Sequence, residues 1–313
     1  MKGGEIIKEA RLPASKQLRE CAAALFLYPS LVIKNREIIR NFYSRELRSR
    51  FRGTVLGWAW PFVMPLVLFL VYYFVFAELL QAKFGVAGVA DAEGKSWFTV
   101  YLFVGVVVWS GFAESVTRNC SIILENSNLI KKIAFPSEIL PLNTILVSLT
   151  IQGIAIAAYL LLSPLLGWNA FSPYLAALPI LFIIQAALSL GLSLASASAN
   201  VFVRDTQPIL GIVMTFWQFA TPVFWSTSVI SKETLDRYQW ALDANPMYHL
   251  LEGYRKVLVN PGLKQDGSAE LQKMAPMEWP WAECQNVLIT SLAFFIVGYS
   301  LFYISKRRFS DEL

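Results

Sequence analysis

The sequence predicts an all-α integral membrane protein, with six transmembrane helices, both termini on the cytoplasmic side, an N-terminal amphipathic interface helix and re-entrant helices on the outer side. Three observations carry this. Apolar residues make up 56% of the 313 and charged residues only 16%, against about a quarter charged in soluble domains. The charges are also partitioned, with none between Ile139 and Val203. Finally, seven basic residues (Lys34, Arg36, Arg40, Arg45, Arg48, Arg50 and Arg52) run, with only Glu37 and Glu46 against them, straight into an uncharged segment over 55–77.

That segment is long enough for a helix to cross the roughly 30 Å hydrocarbon core of a bilayer. The basic belt holds its leading end inside, because Lys and Arg near span ends resist translocation. A second span is predicted at 96–113, ending in Glu114 and Arg118. The third and fourth, 139–162 and 174–199, are joined by a tight turn flanked by Ser163-Pro164 and Ser172-Pro173. The fifth covers 207–230, and the sixth, 284–305, runs up to Lys306, Arg307 and Arg308. The inside loops hold Lys131, Lys132 and Arg204, whereas the outside loop at 163–173 has no basic residue, which satisfies the positive-inside rule. The long segment 227–283 is placed outside by parity alone. Within it, Met247, Leu250, Leu251, Tyr254 and Leu258 share a helical face over 245–258, a helix too short to span that fits an interfacial or re-entrant position. On this reading residues 1–30 are an N-terminal cytoplasmic extension, 31–52 the interface helix, 53–308 the transmembrane domain and 309–313 a cytoplasmic tail.

The net charge of +5 goes with topology and anionic lipid headgroups, not with nucleic acid. Cys21, Cys120 and Cys284 are scattered without CxxC or zinc spacing, so neither a disulfide framework nor a metal site is expected. No secretory signal is expected in the first thirty residues, which lack a long apolar run before a small-residue cleavage site. On the interface helix Val32, Ile39, Tyr43 and Leu47 group opposite Lys34, Arg45, Arg48 and Arg52, while Arg36, Arg40 and Arg50 blur the separation. Two readings stand together: a surface helix held by anionic lipid, and guanidinium forks that meet the oxygens of a phosphorylated substrate.

The run Arg45-Glu46-Leu47-Arg48-Ser49-Arg50-Phe51-Arg52-Gly53-Thr54-Val55-Leu56-Gly57-Trp58-Ala59-Trp60-Pro61 is followed by Met64-Pro65-Leu66 and the aromatic stretch Tyr72 to Phe76. This opening resembles that of the ABC-2 type polysaccharide-export permeases, which carry O-antigen, capsule or teichoic acid chains. The resemblance continues at Asn128 to Leu142, at Phe202-Val203-Arg204-Asp205, at Thr221-Pro222-Val223-Phe224 and at Asn245-Pro246-Met247-Tyr248, covering about 34 to 308. It implies a homodimeric permease of the bacterial inner membrane. It pairs with two copies of a separate ABC ATPase that bind the ATP and Mg, and this chain needs no cofactor of its own. A lipid-linked polysaccharide is the implied substrate, with its lipid pyrophosphate received at Arg45, Arg48 and Arg52. The loop near Asn126–Pro136 would form a coupling helix on the ATPase, through Asn128, Leu129, Ile130, Lys131, Lys132, Phe135 and Pro136, with Arg204 and Asp205 as the second contact. Lys131 and Lys132 also serve as topology determinants. The helix at 245–258 would be a re-entrant gate helix at the outer mouth.

Aromatic residues crowd spans one, two and five. Interfacial belts and lipid-facing Phe account for most of them. The others could line a glycan path by stacking under sugar C–H faces, with Trp60, Tyr72, Tyr73, Trp109, Phe112, Phe216, Trp217 and Phe224 as candidates. Gly94-Lys95-Ser96 imitates the tail of a phosphate-binding GxxxxGK[ST] loop, but the required first glycine falls at Val89, no strand precedes it and it lies outside. His249, the only histidine, has no cysteine or carboxylate cluster beside it and reads as structural. Gly53 and Gly57 form a GxxxG at the inner end of span one, and the small residues from Ser189 to Ser198 offer a second place for close helix packing.

The spans are almost free of ionisable groups, which argues against an ion-coupled carrier or channel. The carboxylates Glu78, Glu114 and Asp205 sit at span ends, not in a cleft, which argues against a membrane-embedded enzyme. An ATP-driven permease needs only a conduit and coupling loops. Among such permeases, export of another surface glycan, or of a drug or small lipid, is the alternative.

Overall fold

The structure, a computed structural model, describes residues 14–53, 55–75, 91–132, 136–166, 171–227, 230–259 and 279–313. Among these residues the chain is helical throughout. It begins with α1 (Ala14–Lys34) and α2 (Arg36–Phe51), then a 3-10 turn (Gly57–Ala59) leads into α3 (Trp60–Tyr73). The long α4 (Asp91–Cys120) is followed by two short helices, α5 (Ile122–Glu125) and α6 (Ser127–Lys132). Next come α7 (Ile139–Leu162), α8 (Leu178–Phe202) and α9 (Thr206–Ala220). Then come α10 (Lys232–Asp243) and α11 (Pro246–Leu258), and the chain closes with α12 (Trp281–Lys306) and α13 (Phe309–Glu312).

Four helical stretches among the described residues are long and apolar enough to cross a membrane: Phe98–Cys120, Ile139–Leu165, Pro173–Phe202 and Trp281–Lys306. They coincide with the second, third, fourth and sixth apolar runs of the sequence. The second extends past the predicted end at residue 113, because Glu114 and Arg118 both find partners on α2 and need not leave the bundle. The first run appears as the 14 residues of α3, and residues 76 and 77 of that run lie outside the described residues.

The run at 207–230 divides. At 15 residues, α9 rises only about 22 Å, short of the hydrocarbon core. It stops at Thr221, whose backbone is extended (φ −97°, ψ 139°). The cause is Pro222, which lacks an N–H and disfavours helical geometry in the residue before it.

Lipid tails are as apolar as leucine, so helices in a bilayer associate through close packing and hydrogen bonds. The tightest contact joins α8 to α12. A Cβ added at Gly191 would collide with the backbone at Phe294 and Phe295, and one added at Gly298 would collide with the backbone of Gly191. The small-residue stretch of span four is therefore a true packing surface. Gly53 and Gly57 behave differently. Both have positive φ, 78° and 50°, and an added Cβ at either would meet nothing within 4 Å. They turn the chain between α2 and α3 and are not a helix-packing motif, because the segment they occupy is not an α-helix.

Hydrogen bonds complete the bundle. Gln152 on α7 and Gln185 on α8 exchange amide bonds at 3.0 and 2.8 Å, and Tyr254 Oη of α11 donates to the same Gln185 oxygen at 2.8 Å. Gly111 of α4 leaves the room that Gln152 fills. One end further on, Asn119 Nδ2 donates to Pro141 O at 3.1 Å and Ser193 Oγ at 3.0 Å, tying α4 to α7 and α8. Against α12 lies α1, with Tyr28 edge-on to Phe295 and Tyr299, Tyr299 Oη donating to Ala24 O, and Arg307 paired with Glu20 at 2.7 Å.

Two glycine substitutions should separate packing from turn formation. Gly298→Val forces the α8 backbone away and should cost more than about 3 kcal/mol, the upper end of ordinary overpacking. Gly53→Ala adds a methyl in open space and should cost only about 1–2 kcal/mol for the left-handed backbone. Thermal unfolding in detergent, followed by gel filtration, reads both.

Candidate functional site

Three places concentrate the chemistry: a basic groove on α2, a charged end built from short loops, and a clamp where α9 breaks.

Residues from both ends of α2 fix its rotation. Ile39 is buried, Tyr43 Oη lies 2.9 Å from Thr150 Oγ1, Glu46 binds Arg118 at 3.2 Å and accepts from Thr144 at 3.4 Å, and Arg50 binds Glu114 at 2.8 Å. Arg50 is thus turned inward, its side chain only 7% exposed. Burial lowers its pKa and the Glu114 carboxylate opposes that shift, so the ion pair is what keeps a desolvated guanidinium in place. The opposite side of α2 forms an open groove of about 690 Å³ lined by Glu37, Arg40, Asn41, Ser44, Arg45, Arg48, Ser49 and Arg52. Arg45, Arg48 and Arg52 are therefore brought together as the sequence suggested. Arg40 joins them although it stands roughly 80° from Arg48 on a helical wheel, since its long stem can lean around the helix. Among the described residues no partner is recorded for Arg40, Arg48 or Arg52, while the Arg45 guanidinium sits 4.3 Å over the Phe42 ring.

The two segments expected to couple to a motor lie at one end of the bundle. Asn128 and Lys131 are exposed on α6, and Leu129 and Ile130 are half-buried. Ile130 packs on the cluster containing Ile122, Ile123 and Phe309, and α6 touches α13. Arg204 and Asp205 are exposed in the turn between α8 and α9, next to Phe202, whose ring meets Phe309 at 6.3 Å. The side chain of Lys132 and the whole of Phe135 lie outside the described residues. Pro136 is half-buried just before α7. Two residues on, the buried Glu138 binds Lys306 at 2.6 Å, joining the start of α7 to the end of α12.

Among the described side chains the aromatic candidates do not form a continuous lining within one chain. Trp109, Phe112 and Trp217 pack edge to face on one another at 5.4–6.1 Å, and Trp109 and Phe112 are buried. Phe224 is buried against Phe219. Phe216 is the outward one, 75% exposed. Trp60 is half-buried at the start of α3 with an unpartnered Nε1–H. Tyr72 and Tyr73 fall on the last turn of α3, and their side chains lie outside those described.

At the clamp after α9, Asn245 caps α11 by accepting from Met247 N at 3.0 Å, while the same oxygen accepts from Trp217 Nε1 at 2.9 Å and its amide donates to Thr221 Oγ1 at 2.9 Å. Arg255, 4% exposed, donates to Pro222 O at 2.6 Å and Val223 O at 3.2 Å, pairs with Glu252 at 2.9 Å, and lies 3.5 Å above the Tyr101 ring. A Cβ at Gly105 would strike both Arg255 and Val223 O. Sequence reasoning passed over Arg255. The available signal was its spacing from Leu251 and Leu258, which puts a cation on the apolar stripe of an amphipathic helix. His249 is buried with Nε2 2.9 Å from Asp243 O, holding α10 to α11. Gly94, Lys95 and Ser96 lie in the first turns of α4, a helix and not a phosphate-cradling loop. Among the described residues no group of three or more His, Cys, Asp or Glu is placed to hold a metal ion.

Removing a buried charge whose partners remain is far costlier than removing an exposed one. Arg255→Met should destabilise the protein by about 3–5 kcal/mol, and Arg255→Lys by less, since one ammonium can still reach a carbonyl. Thermal unfolding in detergent should rank wild type, Arg255→Lys and Arg255→Met in that order.

The chain also resembles characterised proteins along most of its length. An O-antigen export system permease protein from Myxococcus xanthus is 30% identical over 223 residues, which cover 71% of this chain and 80% of that protein. Two permeases of the same description from Klebsiella pneumoniae are each 24% identical, over 278 and 282 residues, covering 86% of this chain and 92% of theirs. Residues 39–259 match the family described as ABC-2 type transporter, a stretch that holds the α2 groove except Glu37, both loop segments and the Arg255 clamp. With its membrane-crossing helices this is a multi-pass protein of the inner membrane, and the chain belongs to the ABC-2 type transporter family as a transporter's membrane subunit.

Proposed function

We propose that this chain is the permease subunit of an ABC transporter that exports a lipid-linked polysaccharide, an O-antigen on a polyprenyl diphosphate, across the bacterial inner membrane. The observation that carries this reading is the α2 groove, where Arg45, Arg48 and Arg52, joined by Arg40, face away from the bundle. Guanidinium forks match phosphate oxygens in geometry and charge. The names of the relatives agree, since each is an O-antigen export permease.

In this reading two copies of the chain assemble with two ATPase subunits, which bind the ATP and Mg. ATPase closure is received at Asn128 to Pro136 and at Arg204-Asp205, and it passes into the spans through α7, which begins just after the first of these segments. The glycan runs between the two protomers, with outward aromatic side chains such as Phe216 along its path. The buried Trp109, Phe112 and Phe224, with the half-buried Trp217, act as the packed wall behind that surface.

Deletion of the gene, with mass spectrometry of cell lipids, tests the reading. Long glycans on a polyprenyl carrier should accumulate inside, and complementation with the triple variant Arg45→Gln, Arg48→Gln, Arg52→Gln should fail to clear them. Normal surface O-antigen in the deletion strain overturns it. Loss of a different surface glycan, or a changed drug sensitivity alone, would reassign the cargo.

A further inference from the structure

The groove on α2 is not uniformly basic, and its chemistry changes in a fixed order along the helix. Glu37 and Asn41 line one end and Arg48 and Arg52 the other. Fifteen residues separate Glu37 from Arg52, about 22 Å of helix, which is longer than a diphosphate alone requires. Beyond Arg52 the surface becomes apolar, with Val55 and Leu56 both exposed. A carboxylate is misplaced in a site meant only for phosphate, because like charges repel. A carboxylate and an amide are well placed for sugar hydroxyls, which they can satisfy as acceptor and as donor and acceptor together.

We infer that the groove binds the lipid-proximal end of its substrate in one direction only, with the diphosphate on Arg48 and Arg52, the first sugar on Glu37 and Asn41, and the lipid tail leaving past Val55 and Leu56. This rests on the lipid-linked reading above. Arg48 and Arg52 are one turn apart, so their Cβ atoms are about 6 Å from each other on the same side of the helix, and each guanidinium can take one of two linked phosphates. The neighbouring Arg50 and Arg118 are neutralised by Glu114 and Glu46, whereas the groove arginines carry no such counter-charge among the described residues and are open to an external anion. Arg45, steadied over Phe42, stands between the two ends. Arg40, three residues from Glu37, adds donors at the sugar end.

The test uses full-length protein in nanodiscs and native mass spectrometry, with three probes: a polyprenyl diphosphate, the same lipid carrying one hexose, and phosphatidylglycerol as the competing bulk phospholipid. Wild type should prefer the hexosyl lipid over the bare diphosphate, and both over phosphatidylglycerol. Arg48→Gln with Arg52→Gln should weaken both diphosphates by at least about tenfold, the loss of charge-assisted pairs. Glu37→Ala with Asn41→Ala should leave the bare diphosphate unchanged and remove the preference for the hexosyl lipid. All four positions line the surface groove, and unfolding temperatures should stay at the wild-type value. If the Glu37 and Asn41 changes weaken both diphosphates equally, or neither, the direction is wrong while the phosphate reading stands. If wild type does not prefer the diphosphates over phosphatidylglycerol, the phosphate reading falls and the direction with it.

Discussion

A helix that ends inside a membrane protein leaves carbonyls that water cannot reach, and the arrangement of α4, α9 and α11 follows from how this chain answers that constraint. Pro222 stops α9, and the carbonyls of Pro222 and Val223 turn to Arg255. Burying a guanidinium is itself unfavourable, and Glu252, the Tyr101 face and two carbonyls together offset it. Three segments are thereby bound through one side chain: α4 by way of Tyr101, the turn after α9, and its own helix α11 by way of Glu252. Gly105 is needed for the guanidinium to fit. Asn245 repeats the logic beside it, using one amide to cap α11 and to hold Trp217 and Thr221.

The end of the bundle that carries α2 is organised by charge of a different kind. On α2 the inward Tyr43, Glu46 and Arg50 have partners on α4 and α7, whereas among the described residues the outward Arg40, Arg48 and Arg52 have no ion-pair partner and Arg45 rests only on the Phe42 ring. The same helix thus serves as a fixed strut on one side and an anion-facing surface on the other. This division explains why α4 can carry Glu114 and Arg118 in its last turns without breaking. Their counter-charges come from the helix that precedes the first apolar run, so α2 and α4 neutralise one another.

The helical class, the long apolar segments and the basic face of α2 were legible because each is a composition or spacing pattern repeated over many residues. What was not legible depends on single contacts. Arg36, Arg40 and Arg50 look alike on a wheel, yet Arg50 faces Glu114 and Arg40 faces the groove. That choice is made by α4 and by side-chain reach, not by α2. The pair Gly53 and Gly57 has the spacing of a packing motif, whereas its backbone dihedrals belong to a turn. Gly191 and Gly298, more than a hundred positions apart, form the actual close contact and share no local pattern. The division of the 207–230 run was written in Thr221-Pro222, a breaker inside an otherwise continuous apolar stretch. The aromatic candidates were chosen by type and span, and burial separates Phe216 from Trp109, Phe112 and Phe224 only once the neighbouring helices are in place.

The contact between Gly191 and Gly298 has a mechanical consequence. Helices separated by side chains can slide a fraction of an ångström as rotamers adjust, which is the basis of shear motion. Where backbone meets backbone no compliant layer exists, so α8 and α12 translate and tilt as one beam. To one end of that beam are fastened α1, through Tyr28 and Glu20, and the start of α7, through Glu138 and Lys306. A displacement delivered beside Glu138 therefore reaches the last span without passing through the bundle core, and the compliance of the molecule is left to α9 and the short α3 at its margin.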